Sequence, residues 1–437
     1  PLADVNAIAS LVPEPVLGKT VSLKEAMEKE PKLKAKYDTE PASRATIDMA
    51  MKLENLNRHA GMHAAGIVIS EGPLWNTVPV FRGTGQSAVT QYAKDEVEAA
   101  GLVKFDFLGL TTLTVLDFAV TMIRKRPDEI ERVAKGGEPF NVDDIPLEPK
   151  DPDPEKAKKA RETFELLQTG ETTGVFQLES SGMQKLFKDL KPDCFEDIVA
   201  AVALYRPGPL GSGMVEDFVA RKNGRAKIVY PHDSLKEVLE STYGVIVYQE
   251  QVMMVARKMG GYSLGGADLL RRAMGKKKLE EMAKQKATFV EGAKKLGYEE
   301  AKAVEVFDLL EYFAGYGFNK SHSAAYALIT YQTAFLKRHF PAEFMAATLC
   351  SDLGKIEKLV GTINEARNLG IPVMVPDVNE SDRYFTVVYA PTPQPIPRRP
   401  ANRIEADPWR PRIRVGLGGI KGVGDSAVES IIEAREA

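Results

Sequence analysis

"VKFDFLGL", residues 103–110, sets one lysine and one aspartate inside a run that otherwise reads as a buried strand. Successive strand side chains alternate between faces, so Val103, Phe105 and Phe107 share one face while Lys104, Asp106 and Leu108 share the other. Same-face residues two apart stand roughly 6.5–7 Å from each other, near enough to act on one polyanionic ligand and too far for a tight ion pair. That spacing suits a metal ligand beside a phosphate clamp. Taken alone, a K-x-D pair reads as an edge strand whose charges meet water, and the wider chain has to decide.

Working outward, "HAAGIVIS" (63–70) has the pattern of a second short buried strand and is the expected sheet neighbour of 100–110. Helical periodicity resumes at 111–126, where Thr111 or Thr112 can cap, and residues 1–57 read as a helical lead-in. Residues 136–160 are rich in Pro, Gly and charge and are expected to form a linker or long loop. From there to about residue 370 the pattern is mostly helical. Gly-rich turns at 205–213, 259–268 and 314–323 sit at helix starts, where backbone can approach a ligand closely. Near the end, "YFTVVY" and "IRVGLGG" predict a hairpin, and the seven prolines between Pro391 and Pro411 predict an extended, exposed loop between its strands.

At 437 residues the chain is long enough for several domains, with 44% hydrophobic and 27% charged residues, the balance of a soluble globular protein. No apolar run reaches the roughly 18 residues of a membrane span. Cys194 and Cys350 lie far apart with no metal-type spacing, which argues against a disulfide scaffold, fits a reducing, cytoplasmic compartment and predicts two buried, inert thiols. A net charge of −3 hides a local contrast: residues 257–295 carry eleven Lys or Arg against four acids.

Asp106 is a candidate metal ligand, and no D-x-D lies on another plausible strand, because Asp151 and Asp153 fall in the Pro-broken "KDPDPEK". Two-metal phosphoryl transfer needs two or three carboxylates, so a metal site on this chain alone looks incomplete. His59 and His63 have the i, i+4 spacing of zinc-binding H-E-x-x-H, but the Glu is missing and Gly61 weakens the helix, so local hydrogen bonding is the expected role. "LLRRAMGKKK" (269–278) reads either as a solvated helix end or as a phosphate-binding surface in which Arg271 and Arg272 grip oxygens. In "GFNKSHSAAYALITYQTAFLKRHF" (317–340), Ser321 or Ser323 is expected to cap a long apolar helix whose free N–H groups, with Lys320, favour an anion. "LGGIKGVGDSAVESII" (417–432) resembles the helix-hairpin-helix pattern, with Gly422 and Gly424 in the hairpin and Val428 where a small Ala is usual.

Together, "AGLVKFDFLGL", "VFQLES", "DCFEDIVAAVALYRPGPL", "GVIVYQEQVM", "GGADLLRRAMGKKK" and "AGYGFNKSHSAAYALITYQT", in this order, resemble the bacterial replicative DNA polymerase III alpha subunit family, the C-family DNA polymerases. The resemblance implies an α+β, multidomain fold: part of a polymerase-beta-like nucleotidyltransferase palm, a large, mostly helical fingers region and a helix-hairpin-helix segment. It places the end of the thumb and palm connection at 1–50, the palm at 51–115, the fingers at 116–340 and a duplex-binding region at 341–437. It implies template-directed addition of deoxynucleoside triphosphates to a primer 3′ end with two Mg2+ ions. Asp106 matches the third of the family's three metal-binding aspartates. The strand carrying the other two is missing, so the chain is expected to be an internal fragment without the N-terminal part and C-terminal domains, inactive alone. Lys104, Arg271 and Arg272 are assigned to the incoming triphosphate, Asn319, Lys320, Ser321 and His322 to the nascent pair, and Lys276, Lys277, Lys278, Gly422 and Gly424 to DNA. Implied partners are primer-template DNA and, mostly through regions absent here, the sliding clamp, proofreading exonuclease and clamp-loader subunits. The Pro-rich loop is longer than the turn the family leads one to expect.

Overall fold

A computed structural model describes every residue except 14–20, 58, 84, 86, 277–278, 315–316 and 437. The chain divides into two compact units, 1–110 and 111–437.

In the first unit, helices Leu23–Lys29, Pro31–Thr39 and Pro41–Leu53 close on a small core of Ala26, Leu33 and Ile47. Ser22 and Glu25 form a reciprocal capping box on the first, and Pro opens the other two, where no backbone donor is lost. Four short strands follow: β1 (Gly66–Ile69), β2 (Val80–Arg82), β3 (Ala88–Thr90) and β4 (Val103–Asp106). β1 and β4 pair antiparallel, Gly66 opposite Asp106 and Val68 opposite Lys104, while β2 and β3 form a separate pair.

The sheet partnership expected of 63–70 and 100–110 is therefore present, but the burial expected of both strands is not. Register puts Ile67, Ile69, Val103 and Phe105 on one face, and these side chains are 55, 52, 55 and 49% exposed. Alternation specifies which residues share a face; what covers that face depends on other segments.

The second unit is mostly helical. Its larger core gathers Ile123, Phe164, Phe187, Phe218, Tyr331 and Phe344 around helix Lys320–His339. A second core, with Leu270, Phe289 and Phe307 fully buried, lies among helices Gln249–Gly260, Leu264–Lys276, Leu279–Lys295 and Glu300–Ala314.

Residues 136–160 are not a free linker. Ile145 is buried, the Tyr331 hydroxyl donates to the Pro146 carbonyl (2.7 Å), and helix Pro154–Thr169 begins inside the segment, with Asp153 accepting from Glu155 N (2.9 Å). Pro and acidic residues at a helix start give the same composition as a linker.

At the C-terminal end β5 (Val373–Met374), β6 (Thr386–Val388) and β7 (Arg412–Arg414) form one sheet in the order β5-β7-β6, with β6 and β7 antiparallel as the hairpin expectation requires. β5 spans two residues, too few to show any periodicity. Residues 391–400 are exposed throughout, but the rest of the Pro-rich segment folds back: Ile404 is buried and Arg403 donates to the Lys337 and Arg338 carbonyls (3.3 and 3.1 Å).

Candidate functional site

The charged face of the β1–β4 ribbon opens onto a cavity of about 710 Å³ whose lining includes His63, Gly66, Val68, Lys94, Lys104 and Asp106. Lys104 and Asp106 look the same way, as the alternation requires, but they are in contact: the Lys104 ammonium donates to Asp106 Oδ1. The expectation that they stand too far apart for a tight pair fails because it measured backbone separation, and a four-carbon stem covers the gap. That hydrogen bond is the main reason the Asp106 carboxyl lies below its ordinary range, against a smaller opposing effect of burial.

His63 Nδ1 accepts from Ala65 N (3.2 Å) and lies 3.9 Å from Asp106 Oδ1. It fills the local hydrogen-bonding role expected of it. The zinc pattern is not formed, because the chain at 59–63 is not helical and the two histidines share no helix face. Gly66 has no side chain for a specific reason: a Cβ there would fall 2.7 Å from Lys104 Cε and 2.9 Å from both Asp106 Oδ1 and His63 Nδ1. Sequence reading missed Gly66, which only strand register places opposite Asp106, and the approach of His63, which comes from the irregular segment before β1.

Asp106 is the only carboxylate among the described residues lining this cavity, and two ammonium groups, Lys94 and Lys104, stand with it. A divalent ion held here would have one protein carboxylate, so the donor set is not a self-contained metal site; it suits an anionic ligand better. In the one group of metal-ligating side chains among the described residues, Asp193, Cys194 and Asp197, both carboxylates are paired with Lys222, 3.1 Å from each.

In the second unit, Arg271 and Arg272 share one carboxylate. Arg271 donates to Asp268 Oδ1 through Nε (2.9 Å) and Nη2 (2.7 Å) and to Gln249 Oε1 through Nη1 (3.3 Å), while Arg272 Nε is 2.8 Å from Asp268 Oδ2. Hydrogen bonding to Arg271 holds the Asp268 carboxyl below its usual range. The i, i+3 and i, i+4 spacing of "DLLRR" carries that signal in the sequence.

Helix Lys320–His339 is capped by Asn319, whose side chain accepts from His322 N (2.8 Å), and neither Ser321 nor Ser323 takes that role. Three of its first four N–H groups are already taken: besides His322 N, Lys320 N donates to both Glu250 carboxylate oxygens at 3.1 Å and Ser323 N to the Asn319 carbonyl at 3.1 Å. His322 lies against Tyr326 (ring centroids 4.1 Å) and edge-on to Phe318 (5.3 Å). With Gln177, Ser180, Tyr205, Arg206 and Phe318 it lines a cavity of about 320 Å³, in which the Arg206 guanidinium sits 4.3 Å over the Phe318 ring. Aromatic faces with one guanidinium suit a flat, anionic ligand.

Lys277 and Lys278, and the side chain of Lys276, lie outside the described residues. Gly422 (φ +89°) and Gly424 form the turn that leads into helix Asp425–Glu436, and Val428, in the small-residue position, is fully buried. Burial pushes both cysteine thiols up to about 12, so the expectation of inert thiols holds, with Cys350 buried and Cys194 partly so. Among the described residues no helix is long and apolar enough to cross a membrane.

Family models match three stretches: the bacterial DNA polymerase III alpha NTPase domain at residues 1–109, the bacterial DNA polymerase III alpha subunit finger domain at 112–297 and a helix-hairpin-helix motif at 370–437. The chain is 49% identical over 441 residues to DNA polymerase III subunit alpha of Escherichia coli (strain K12), covering 100% of this chain and 35% of that protein. It is 50% identical over 421 residues to its Pseudomonas aeruginosa counterpart (95% of this chain, 33% of the relative) and 47% over 438 residues to that of Campylobacter jejuni (100% and 33%). Spanning about a third of the length of these curated relatives, with matching models along both of its units, the chain belongs to the bacterial DNA polymerase III alpha subunit family.

Proposed function

We propose that these residues are part of a replicative DNA polymerase that adds deoxynucleotides to a primer 3′ end on a template. The observation that carries the reading is the charged face of β1–β4, where Lys104 and Asp106 meet over a glycine that leaves these side chains room, on the wall of a cavity of about 710 Å³. Lys104 neutralises charge on the triphosphate as pyrophosphate departs, and Arg271 and Arg272, oriented by Asp268, bind phosphate oxygens. Asn319, Lys320, Ser321 and His322 serve the nascent pair, with the His322 ring beside its sugar or base. Asp106 offers one ligand to the divalent ions, magnesium in this reading, and the remaining carboxylates come from outside these residues. Such ions would supply charge neutralisation at the attacking and leaving oxygens.

In this reading residues 1–50 end the thumb and palm connection, 51–115 belong to a polymerase-beta-like palm, 116–340 are fingers, and 341–437 bind duplex, with backbone N–H groups near Gly422 and Gly424 meeting phosphate. Lys276, Lys277 and Lys278 add charge toward DNA. The protein acts in the cytoplasm with clamp, exonuclease and clamp-loader partners.

The test is primer extension by the full-length protein that carries this sequence and by its Asp106→Asn variant, with DNA binding measured in parallel. Extension is expected to fall by at least about 10³-fold, the scale on which single electrostatic groups act, with binding retained. A variant that extends normally would remove Asp106 from the chemistry. The single carboxylate favours a second reading for the 437 residues alone, a DNA-binding segment without activity. Primer extension by the isolated segment would exclude that reading.

A further inference from the structure

The C-terminal end of helix Ser181–Leu190 and the turn after helix Met214–Lys222 enclose a surface cavity of about 280 Å³, lined by Lys188, Asp189, Lys191, Asn223 and Arg225. Its walls are fastened. Lys222, 5% exposed, pairs with Asp193 and Asp197, while Asn223 Nδ2 donates to the Asp189 carbonyl (3.0 Å) and the Leu190 carbonyl (3.4 Å). Gly224, at φ +67°, then turns the chain so that Arg225 joins the rim.

Lys188, Lys191 and Arg225 are exposed and make no ion pair among the described residues. Elsewhere on the unit Lys258, Lys286 and Lys294 find Glu237, Asp308 and Glu300, while exposed Lys156, Lys236 and Lys284 find no carboxylate among the described residues; the dish differs in gathering three unpaired cations on one cavity. Exposed Lys185 and Lys227, close by in sequence, are also unpaired, and against these five cations the cavity itself sets one carboxylate, Asp189. A rigid dish of uncompensated cations repels itself, and a polyanion relieves that repulsion.

The same helix says which polyanion. Ser180 and Met183, at its N-terminal end, line the cavity that holds Arg206 and His322, and its ten residues put the basic dish about 15 Å away. With phosphates about 3.4 Å apart along a stacked strand, and further apart when stretched, that is a few nucleotides. We propose that the dish holds phosphates of the unpaired template strand a few nucleotides ahead of the nascent pair. The proposal rests on the polymerase reading of the His322 cavity and adds a single-strand site to it.

The test uses the full-length protein and fluorescent primer-templates with a 5′ overhang of either one or about eight nucleotides. The unaltered protein is expected to bind the long overhang more tightly. Lys188→Glu/Arg225→Glu should lose that increment, about tenfold, and flatten the salt dependence on the long overhang by roughly 1.4 in log–log slope, the share of two single-strand phosphates. Lys188→Arg/Arg225→Lys should restore both. Affinity for the short overhang and single-nucleotide incorporation on it should stay unchanged. An overhang increment that survives charge reversal overturns the proposal and points to an acidic protein surface as the occupant. A loss equal on both overhangs overturns it too. Neither outcome touches the polymerase reading, which stands or falls with Asp106→Asn.

Discussion

The Lys104 ammonium bends along its own strand to meet Asp106, and this contact sets the carboxyl's titration. The folded-state value is depressed, so the pair contributes stability above the unfolded carboxylate value of about 3.9, and that contribution is lost as pH falls through the folded value. Carbon-detected NMR titration should find the Asp106 midpoint below the ordinary range and moved upward in Lys104→Met; a midpoint unmoved by the substitution would assign the depression elsewhere. Gly66 gives a second residue-scale prediction. Gly66→Ala places its methyl against Lys104, Asp106 and His63, so primer extension should drop at least about tenfold. Stability should change by less than about 1 kcal/mol, because Ala suits a strand no worse than Gly. The charges at 104 and 106 are legible in the sequence, but the glycine facing them is not, because it lies 40 residues upstream and only register connects the two.

At the scale of elements, the start of helix Lys320–His339 shows what a linear reading can and cannot resolve. Asn319, Ser321 and Ser323 are all competent caps. Phe318 decides among them, since it is held in extended conformation by Phe318 N donating to the Val247 carbonyl (3.1 Å) and by its own carbonyl accepting from Gln249 N (2.9 Å). The turn into the helix therefore falls at Asn319. Asn319→Ala should cost about 1 kcal/mol in denaturant unfolding, with Asn319→Asp close to the original. Equal losses from the two would mean that the side chain does something other than cap. The pairing of β1 with β4, the helix at 111–124 and the β6–β7 hairpin were readable because their periodicity is local. The exposure of the β1–β4 apolar face and the packing of 136–160 were not, because they depend on what remote segments cover.

Across the whole second unit, Arg126 joins segments that sequence alone does not connect. It is 6% exposed and bonds Glu343 (2.7 Å) and Asp407 (2.9 Å), while its guanidinium stands 5.6 Å from the Tyr389 ring, whose hydroxyl donates to the same Glu343 oxygen (2.7 Å). Arg126→Met leaves a fully buried Glu343 without its cation and should destabilise the unit by about 3–5 kcal/mol, read as one cooperative shift in thermal unfolding. A separate early transition confined to the C-terminal segment would show that Arg126 clamps only that piece. The folded-back half of the Pro-rich segment has a practical consequence. Residues 391–400 stand out in solvent, yet their base is tied across, Gln394 N to the Pro408 carbonyl (2.7 Å) and Arg410 Nη2 to the Pro395 carbonyl (2.7 Å). Trypsin should cut here between Arg398 and Arg399, since Pro400 shields the following bond. The severed halves should still migrate together in native sizing and separate only in detergent, making this crest a place to open the chain for labels or insertions without undoing the fold.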